Sequence, residues 1–136
     1  MELLPDKTIY LLIGLDTNFN FVNVAAPGAP QGLKLNLQER CIVVFTLSDQ
    51  LLNAGWSFQP EPFIVRNDFG VNFSSYAWSD HKLSGVVVPN SEFKVVCEYA
   101  RMGEYKYSLL LSDGLGQHIT LDPMIENGVG HTAPPQ

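Results

Sequence analysis

Apolar and polar residues alternate with a period of two along most of this chain, and the three-to-four-residue spacing of an amphipathic helix is almost absent. Successive side chains of a strand point to opposite faces, so this alternation predicts half-buried strands. The two clearest strands are residues 92–99 and 104–111. Only Met102, Gly103 and their neighbours separate them, and we therefore expect them to pair as an antiparallel hairpin.

Two further hairpins are predicted from turn residues that lie between alternating segments. Residues 8–15 alternate cleanly, meet the turn Asp16-Thr17-Asn18 and continue as residues 19–24. Residues 113–116, Asp-Gly-Leu-Gly, lead from the strand at 104–111 into residues 117–121. Because Asp, Asn and Gly favour tight turns, each of these pairs is expected to be antiparallel.

The rest of the chain predicts shorter strands and a single short helix. Residues 40–48 are apolar on both faces, as expected of a strand in the middle of a sheet. Ser48 can cap a helix of one or two turns that ends at Gly55. We expect an all-β, antiparallel β-sandwich or barrel of about ten short strands, the others being residues 33–37, 56–58, 63–66, 71–78 and 83–88.

Length and charge limit the organisation of the chain and the partners it can have. With 136 residues, 46% apolar and 16% charged, we expect one β-sandwich domain over residues 1–127 and a flexible C-terminal tail over 128–136. The formal charge of −6 repels phosphates and anionic lipids, so we expect neither a nucleic acid nor a membrane as partner. The first residues do not resemble a secretory signal, and a soluble, cytoplasmic protein is expected.

Cys41, Trp56 and Cys97 follow the order found in immunoglobulin domains. That pattern also places a tyrosine two residues before the second cysteine, where this chain has Val95, whereas Tyr99 stands two residues after it. In a reducing compartment, two buried free thiols are favoured over a disulfide. The order therefore favours a sandwich without establishing a bridge.

Residue patterns that would indicate an enzyme or a metal protein are missing from the sequence. We find no serine framed by glycines, no reactive cysteine with a partner histidine and no phosphate-binding glycine loop. The histidines are scattered at positions 81, 118 and 131, as is usual for surface residues. We therefore expect no catalytic residues, no metal site and no cofactor.

One segment combines aromatic rings with polar groups, namely Tyr76, Trp78, Asp80 and His81. Such a combination can stack on a sugar ring or lie at the centre of an interface. The more ordinary reading places Tyr76 and Trp78 on the inward face of a strand, because residues two apart share one face. The segment is a candidate ligand or interface site under the first reading only.

Two proline dipeptides carry a resemblance to a known family. Glu61-Pro62 lies in Gln-Pro-Glu-Pro-Phe-Ile-Val and Asp122-Pro123 in Thr-Leu-Asp-Pro-Met-Ile-Glu-Asn-Gly, after a Tyr-Lys-Tyr-Ser-Leu-Leu-Leu-Ser-Asp-Gly stretch. The chain thereby resembles the small bacterial DP-EP family, which implies an immunoglobulin-like β-sandwich of uncharacterised function with no catalytic residues to transfer. Prolines remove ladder donors, so each dipeptide is expected at a strand end, with Glu61 and Asp122 anchoring loops.

These observations favour a non-enzymatic interaction or assembly module that self-associates as a homo-oligomer. Its contact surface would use apolar residues on the phase opposite the core, namely Ile42, Val44, Val86, Val88 and Leu110. The alternative is a carbohydrate or small-ligand binding module that uses the segment from Tyr76 to His81. The sequence leaves the identity of a protein partner or small ligand open.

Overall fold

A computed structural model describes residues 7–15, 17, 21–24, 33, 35–37, 39–65, 73, 76–98, 103–121 and 124–127. Within these residues the prediction of a mostly β fold is confirmed, and no helix there is long and apolar enough to cross a membrane. The elements in chain order are β1 (Thr8–Leu15), β2 (Phe21–Asn23), β3 (Leu35–Leu37), β4 (Cys41–Leu47), α1 (Asp49–Asn53), β5 (Ser57–Val65), β6 (Tyr76–Trp78), β7 (Lys82–Leu83), β8 (Val86–Val87), β9 (Glu92–Cys97), β10 (Gly103–Ser112), β11 (His118–Leu121) and β12 (Met124–Asn127).

The first sheet has five strands in the order β2-β1-β4-β9-β6. Its pairs are antiparallel except for β1 and β4, which run parallel. The predicted hairpin of β1 and β2 is confirmed, with Ile13 opposite Asn23. β4 occupies the centre of the sheet, in agreement with the apolar residues on both of its faces.

The second sheet is built around the long strand β10. On one side β10 pairs with β11 and β12, and on the other with β5, while β3 adds to β12 in parallel. The predicted hairpin of β10 and β11 is confirmed, and the Asp113 N–H donates to the Gln117 carbonyl at 2.9 Å across its turn. β11 and β12 keep the same register against β10, with Leu109 opposite Leu121 and Lys106 opposite Met124.

The predicted hairpin between residues 92–99 and 104–111 is wrong. β9 lies in the first sheet between β4 and β6, whereas β10 belongs to the second. Alternation determines which side of a strand is buried, but it carries no information on which strand lies beside it. Placing the two strands in different sheets lets Tyr107 of β10 contact Phe45 of β4 across the core, with ring centroids 5.9 Å apart.

Both sheets contribute side chains to one core. Phe45 lies at its centre, stacked on Phe93 of its own sheet at 5.0 Å and in contact with Phe63 of the second sheet at 5.5 Å. Tyr107 is fully buried and its phenol donates a hydrogen bond to the Leu33 carbonyl. Burial raises the pKa of Tyr107, so its phenol stays protonated and remains a donor.

The Glu61-Pro62 dipeptide lies inside β5 and not at a strand end, which corrects the prediction for that dipeptide. Against β10, Phe63 is opposite Leu109 but Phe58 is opposite Leu111, so residues 59–62 form a bulge facing the single residue 110. Proline can lie within a strand at such a point because no ladder donor is needed there. Asp122, the acid of the other dipeptide, lies outside the described residues.

The predicted helix is confirmed as α1. Ser48 is its N-cap, and the Ser48 hydroxyl accepts the Leu51 N–H. Gly55, just past the helix, has a φ of +89°, which glycine adopts without steric cost. The helix buries Leu51 and Leu52 in the core and presents Asp49 at its first turn.

Candidate functional site

The aromatic pair of the candidate segment lies on β6 at the edge of the first sheet. Tyr76 is opposite Val95 and Trp78 is opposite Phe93 in the register of β6 and β9. Both rings contact the fully buried Phe93 ring, at centroid distances of 6.0 and 5.8 Å. Both side chains lie on the same face of the strand as Phe93; Trp78 is half-buried against the core, whereas Tyr76 is 36% exposed.

The polar end of Tyr76 contacts the bulge of β5. Its hydroxyl donates to the Pro60 carbonyl at 2.9 Å, and the nearby Gln59 side-chain amide donates to the Leu111 carbonyl at 2.9 Å. Both carbonyls belong to the irregular stretch in which β5 leaves its regular pairing with β10. Tyr76 thus stabilises the bulge that carries Glu61, which is exposed. The predicted anchoring role of the Glu61 carboxylate itself stays a prediction.

The polar half of the segment, Asp80 and His81, is organised by Ser91. Ser91 is fully buried, and its N–H donates to the Asp80 carboxylate at 3.3 Å. The Ser91 hydroxyl accepts the His81 N–H at 2.7 Å and donates to the Val88 carbonyl at 2.6 Å. These bonds close the base of the segment between His81 and Val88, together with a 2.9 Å bond from the Val88 N–H to the His81 carbonyl.

The His81 ring reaches the helix. Its Nε2 lies 3.1 Å from Oδ1 of Asp49, the first residue of α1. The contact is an ion pair when the imidazole is protonated and a hydrogen bond when Nε2 carries the proton of a neutral ring. It joins the connection after β6 to a helix 32 residues earlier in the chain.

A second polar contact near the segment was not predicted from the sequence. Both oxygens of the Glu92 carboxylate accept hydroxyl donors, from Thr46 at 2.7 Å and from Ser79 at 2.7 Å. Thr46 is directly opposite Glu92 on β4, and Ser79 follows β6 on the other side. The alternation of residues 92–97 predicts that the Glu92 side chain lies on the outward face of its strand, but it does not identify the residues of adjacent strands that contact it.

Residues 82–87 form a separate two-stranded hairpin of β7 and β8, and the prediction of a single strand over 83–88 is wrong. Ser84 and Gly85 form its loop with φ values of 52° and 83°. Positive φ at both central residues matches a two-residue loop of type I′, whose twist suits an antiparallel pair. Ser84-Gly85 lies within the apolar run and favours a tight turn, which the prediction of a continuous strand did not take into account.

The hairpin of β7 and β8 exposes two valines in succession. Val86 is 67% exposed and Val87 is 52% exposed, on opposite faces of β8. Residues 81–91 contain Lys82 and no carboxylate, although the chain as a whole carries a charge of −6. The hairpin is therefore an apolar projection without negative charge on an acidic protein.

The remaining residues of the predicted contact surface are less accessible. Val44 is buried, which corrects the prediction that it is exposed. On the central strand it has Tyr10 directly opposite on one side and Lys94 on the other, and long side chains in those positions shield it. The other three, Ile42, Val88 and Leu110, are half-buried. Only Val86 of the predicted set is strongly exposed.

The two cysteines lie on neighbouring strands of the first sheet. Cys41 is directly opposite Cys97 across β4 and β9, and both are buried thiols outside any disulfide. The immunoglobulin bridge joins the two sheets, so this arrangement differs from it. Trp56 packs edge-on against Phe21 at 5.4 Å.

The polar groups of this region bind one another and the backbone. Within the described residues, no three His, Cys, Asp or Glu side chains cluster closely enough to hold a metal ion. Asp80 and His81 stabilise the base of the hairpin, and Glu92 links three strands of the first sheet. Comparison of the chain with models of known protein families and with curated proteins gives no match.

Proposed function

We propose that this protein is a non-enzymatic assembly module that pairs with a second copy of itself through the hairpin of β7 and β8. The observation that carries the proposal is the exposure of Val86 and Val87 on a hairpin whose base is fixed by hydrogen bonds. Two adjacent exposed valines on a projecting strand lose unfavourable contact with water when they are covered.

The hairpin is ordered before it meets a partner. The buried Ser91 hydroxyl links His81 to Val88, and the His81 ring contacts Asp49 of α1. An element that is already held in its bound shape loses less conformational entropy on association. Fixing the base in this way favours a role in binding over a role as a simple connection between β6 and β9.

A second copy of the chain is the binding partner that fits the hairpin best. Within the described residues, β7 and β8 pair only with each other, so backbone groups along their outer edges can accept another strand. A two-fold arrangement would place the same apolar patch on both sides of the contact. Residues 82–88 carry Lys82 and no carboxylate, so the hairpin strands themselves add no negative charge to the contact.

We also propose that the two sheets form an immunoglobulin-like sandwich of the DP-EP kind. The shared core of the two sheets supports this classification. The pairing of Cys41 with Cys97 inside one sheet departs from the immunoglobulin pattern. The proposed assembly depends on the hairpin and not on this classification.

Carbohydrate binding by the segment from Tyr76 to His81 is not favoured by any of these contacts. The Tyr76 hydroxyl, the Asp80 carboxylate and the His81 ring each have a partner within the fold, and Trp78 packs on Phe93. A sugar would have to displace these contacts before it could use the groups.

Size-exclusion chromatography with light scattering tests the assembly proposal. We expect the mass of the parent protein to rise toward that of two chains as the concentration is increased, and Val86→Lys to keep the mass of one chain. The matched control is Tyr10→Lys, because Tyr10 is 65% exposed but lies on β1, away from the hairpin. A parent that stays monomeric, or a Val86→Lys variant that associates as the parent does, would contradict the proposal.

A further inference from the structure

Two thiols face each other at one end of the first sheet. Cys41 is the first residue of β4 and Cys97 is the last residue of β9, and they are direct partners in the antiparallel register. Their exposed fractions are 1% and 0%. Directly opposite residues of a ladder project from the same face of the sheet, so the two thiols are neighbours.

The backbone geometry of this pair brings the thiols near disulfide distance. The Leu47 N–H donates to the Ser91 carbonyl, and alternation along the ladder puts Cys41 and Cys97 in the same kind of hydrogen-bonded pair. Such pairs have Cα atoms about 5.5 Å apart, which lies within the range of about 4.4–6.8 Å for disulfides. Their Cβ atoms lie about 5 Å apart, whereas a disulfide needs about 3.5–4.5 Å, so a bond between the two sulfurs also requires the two strand ends to move together by about 1 Å.

The two thiols are not equivalent. The hydrogen bond from the Cys97 thiol lowers the pKa of Cys41, and the cation of Lys7 acts in the same direction. Burial and the carboxylate of Glu39 oppose this effect without reversing it. The thiolate is the reactive form of cysteine, so the lowered pKa favours reaction at Cys41.

We propose that Cys41 and Cys97 form a dithiol that hydroperoxides oxidise to an intramolecular disulfide, with Cys41 reacting first. With hydrogen peroxide, the Cys41 thiolate attacks one oxygen, the O–O bond breaks, and the departing hydroxide takes up one proton and leaves as water. Cys41 is then a sulfenic acid. The Cys97 thiol gives up its proton and its sulfur attacks the Cys41 sulfur; the S–O bond breaks, the S–S bond forms, and the departing hydroxide takes up that proton and leaves as a second water.

The pair lies near one end of the sheet. Cys41 directly follows Glu39 and Arg40, and Arg40 forms a 2.7 Å ion pair with Glu98 next to Cys97. Because both thiols are buried, an oxidant reaches them when this end of the sheet opens locally. The proposal concerns chemistry at the sheet end and is independent of the assembly through the hairpin.

Intact-mass spectrometry of the folded parent protein after treatment with hydrogen peroxide tests the proposal. We expect the monomer to lose two hydrogen atoms, and peptide mapping to link Cys41 to Cys97. A protein that gains oxygen at the cysteines, that links two chains through them or that does not react under conditions that oxidise the unfolded chain would overturn it.

Two matched serine variants test the order of reaction. Cys97→Ser keeps a hydroxyl that can donate to Cys41 but cannot form a disulfide, so a dimedone-type probe should label Cys41 as the sulfenic acid. In Cys41→Ser, labelling of Cys97 should be slower than labelling of Cys41 in Cys97→Ser. Equal labelling of the two variants would overturn the assignment of Cys41 as the first to react.

Discussion

Replacing Ser91 by alanine removes the group that closes the base of the hairpin. The Ser91 side chain is fully buried and uses its hydroxyl twice, as acceptor from the His81 N–H at 2.7 Å and as donor to the Val88 carbonyl at 2.6 Å. Alanine fits the same space but makes neither bond. The cost therefore comes from two backbone groups that lose their partner, with little change in packing.

The magnitude follows from the burial of those two groups. A buried donor or acceptor left without a partner costs about 1–3 kcal/mol. His81 and Val88 are half-buried, so water compensates part of each loss, and the lower half of that range applies to each. The free energy of unfolding should fall by about 2–4 kcal/mol. For a chain of this size the unfolding midpoint should fall by roughly 7–14 °C.

Urea denaturation followed by circular dichroism measures this loss directly. The matched control is Ser57→Ala, because Ser57 is a half-buried serine at the start of β5, and its change should stay below about 0.5 kcal/mol. A loss for Ser91→Ala no larger than that of Ser57→Ala would refute the role assigned to the Ser91 hydroxyl.

Three further changes test other parts of the structure by the same denaturation assay. Gly85→Ala should cost about 1 kcal/mol, because the φ of +83° is unfavourable for alanine although no atom lies within 4 Å of the added Cβ; an unchanged midpoint would contradict the positive-φ turn. Tyr107→Phe should cost about 1–3 kcal/mol, since the Leu33 carbonyl loses its buried donor; a neutral result would mean that water replaces the phenol. Glu92→Gln should cost about 1 kcal/mol, because the amide nitrogen cannot accept the second hydroxyl; a gain in stability would argue against the bonds from Thr46 and Ser79.

The sequence predicts which face of each strand is buried, because this depends only on the alternation of residues within that strand. Leu11 and Ile13 on β1, and Phe93 and Val95 on β9, were assigned to the core by alternation and are buried there. Strand partners could not be predicted in the same way. The nearness of residues 92–99 to 104–111 favoured a hairpin, but closing the core required β9 and β10 to lie in different sheets.

The candidate site shows the same division between local and long-range information. The sequence singled out Tyr76, Trp78, Asp80 and His81, but not Asp49 or Ser91, whose contacts cross the fold. The sequence shows that β8 is apolar, but the prediction included the Ser-Gly turn, which exposes these residues, within a single strand. Side chains that act through distant partners leave no periodic signal in the chain.

Sedimentation equilibrium of the parent protein and of Val86→Lys, over a wide range of concentrations, is the most direct test of assembly through the hairpin. The parent is expected to approach the mass of two chains as its concentration rises, and Val86→Lys is expected to fit the mass of a single chain throughout. A parent that fits a single chain at every concentration, or a variant whose association equals that of the parent, would contradict the assignment of the β7 and β8 hairpin as the contact surface.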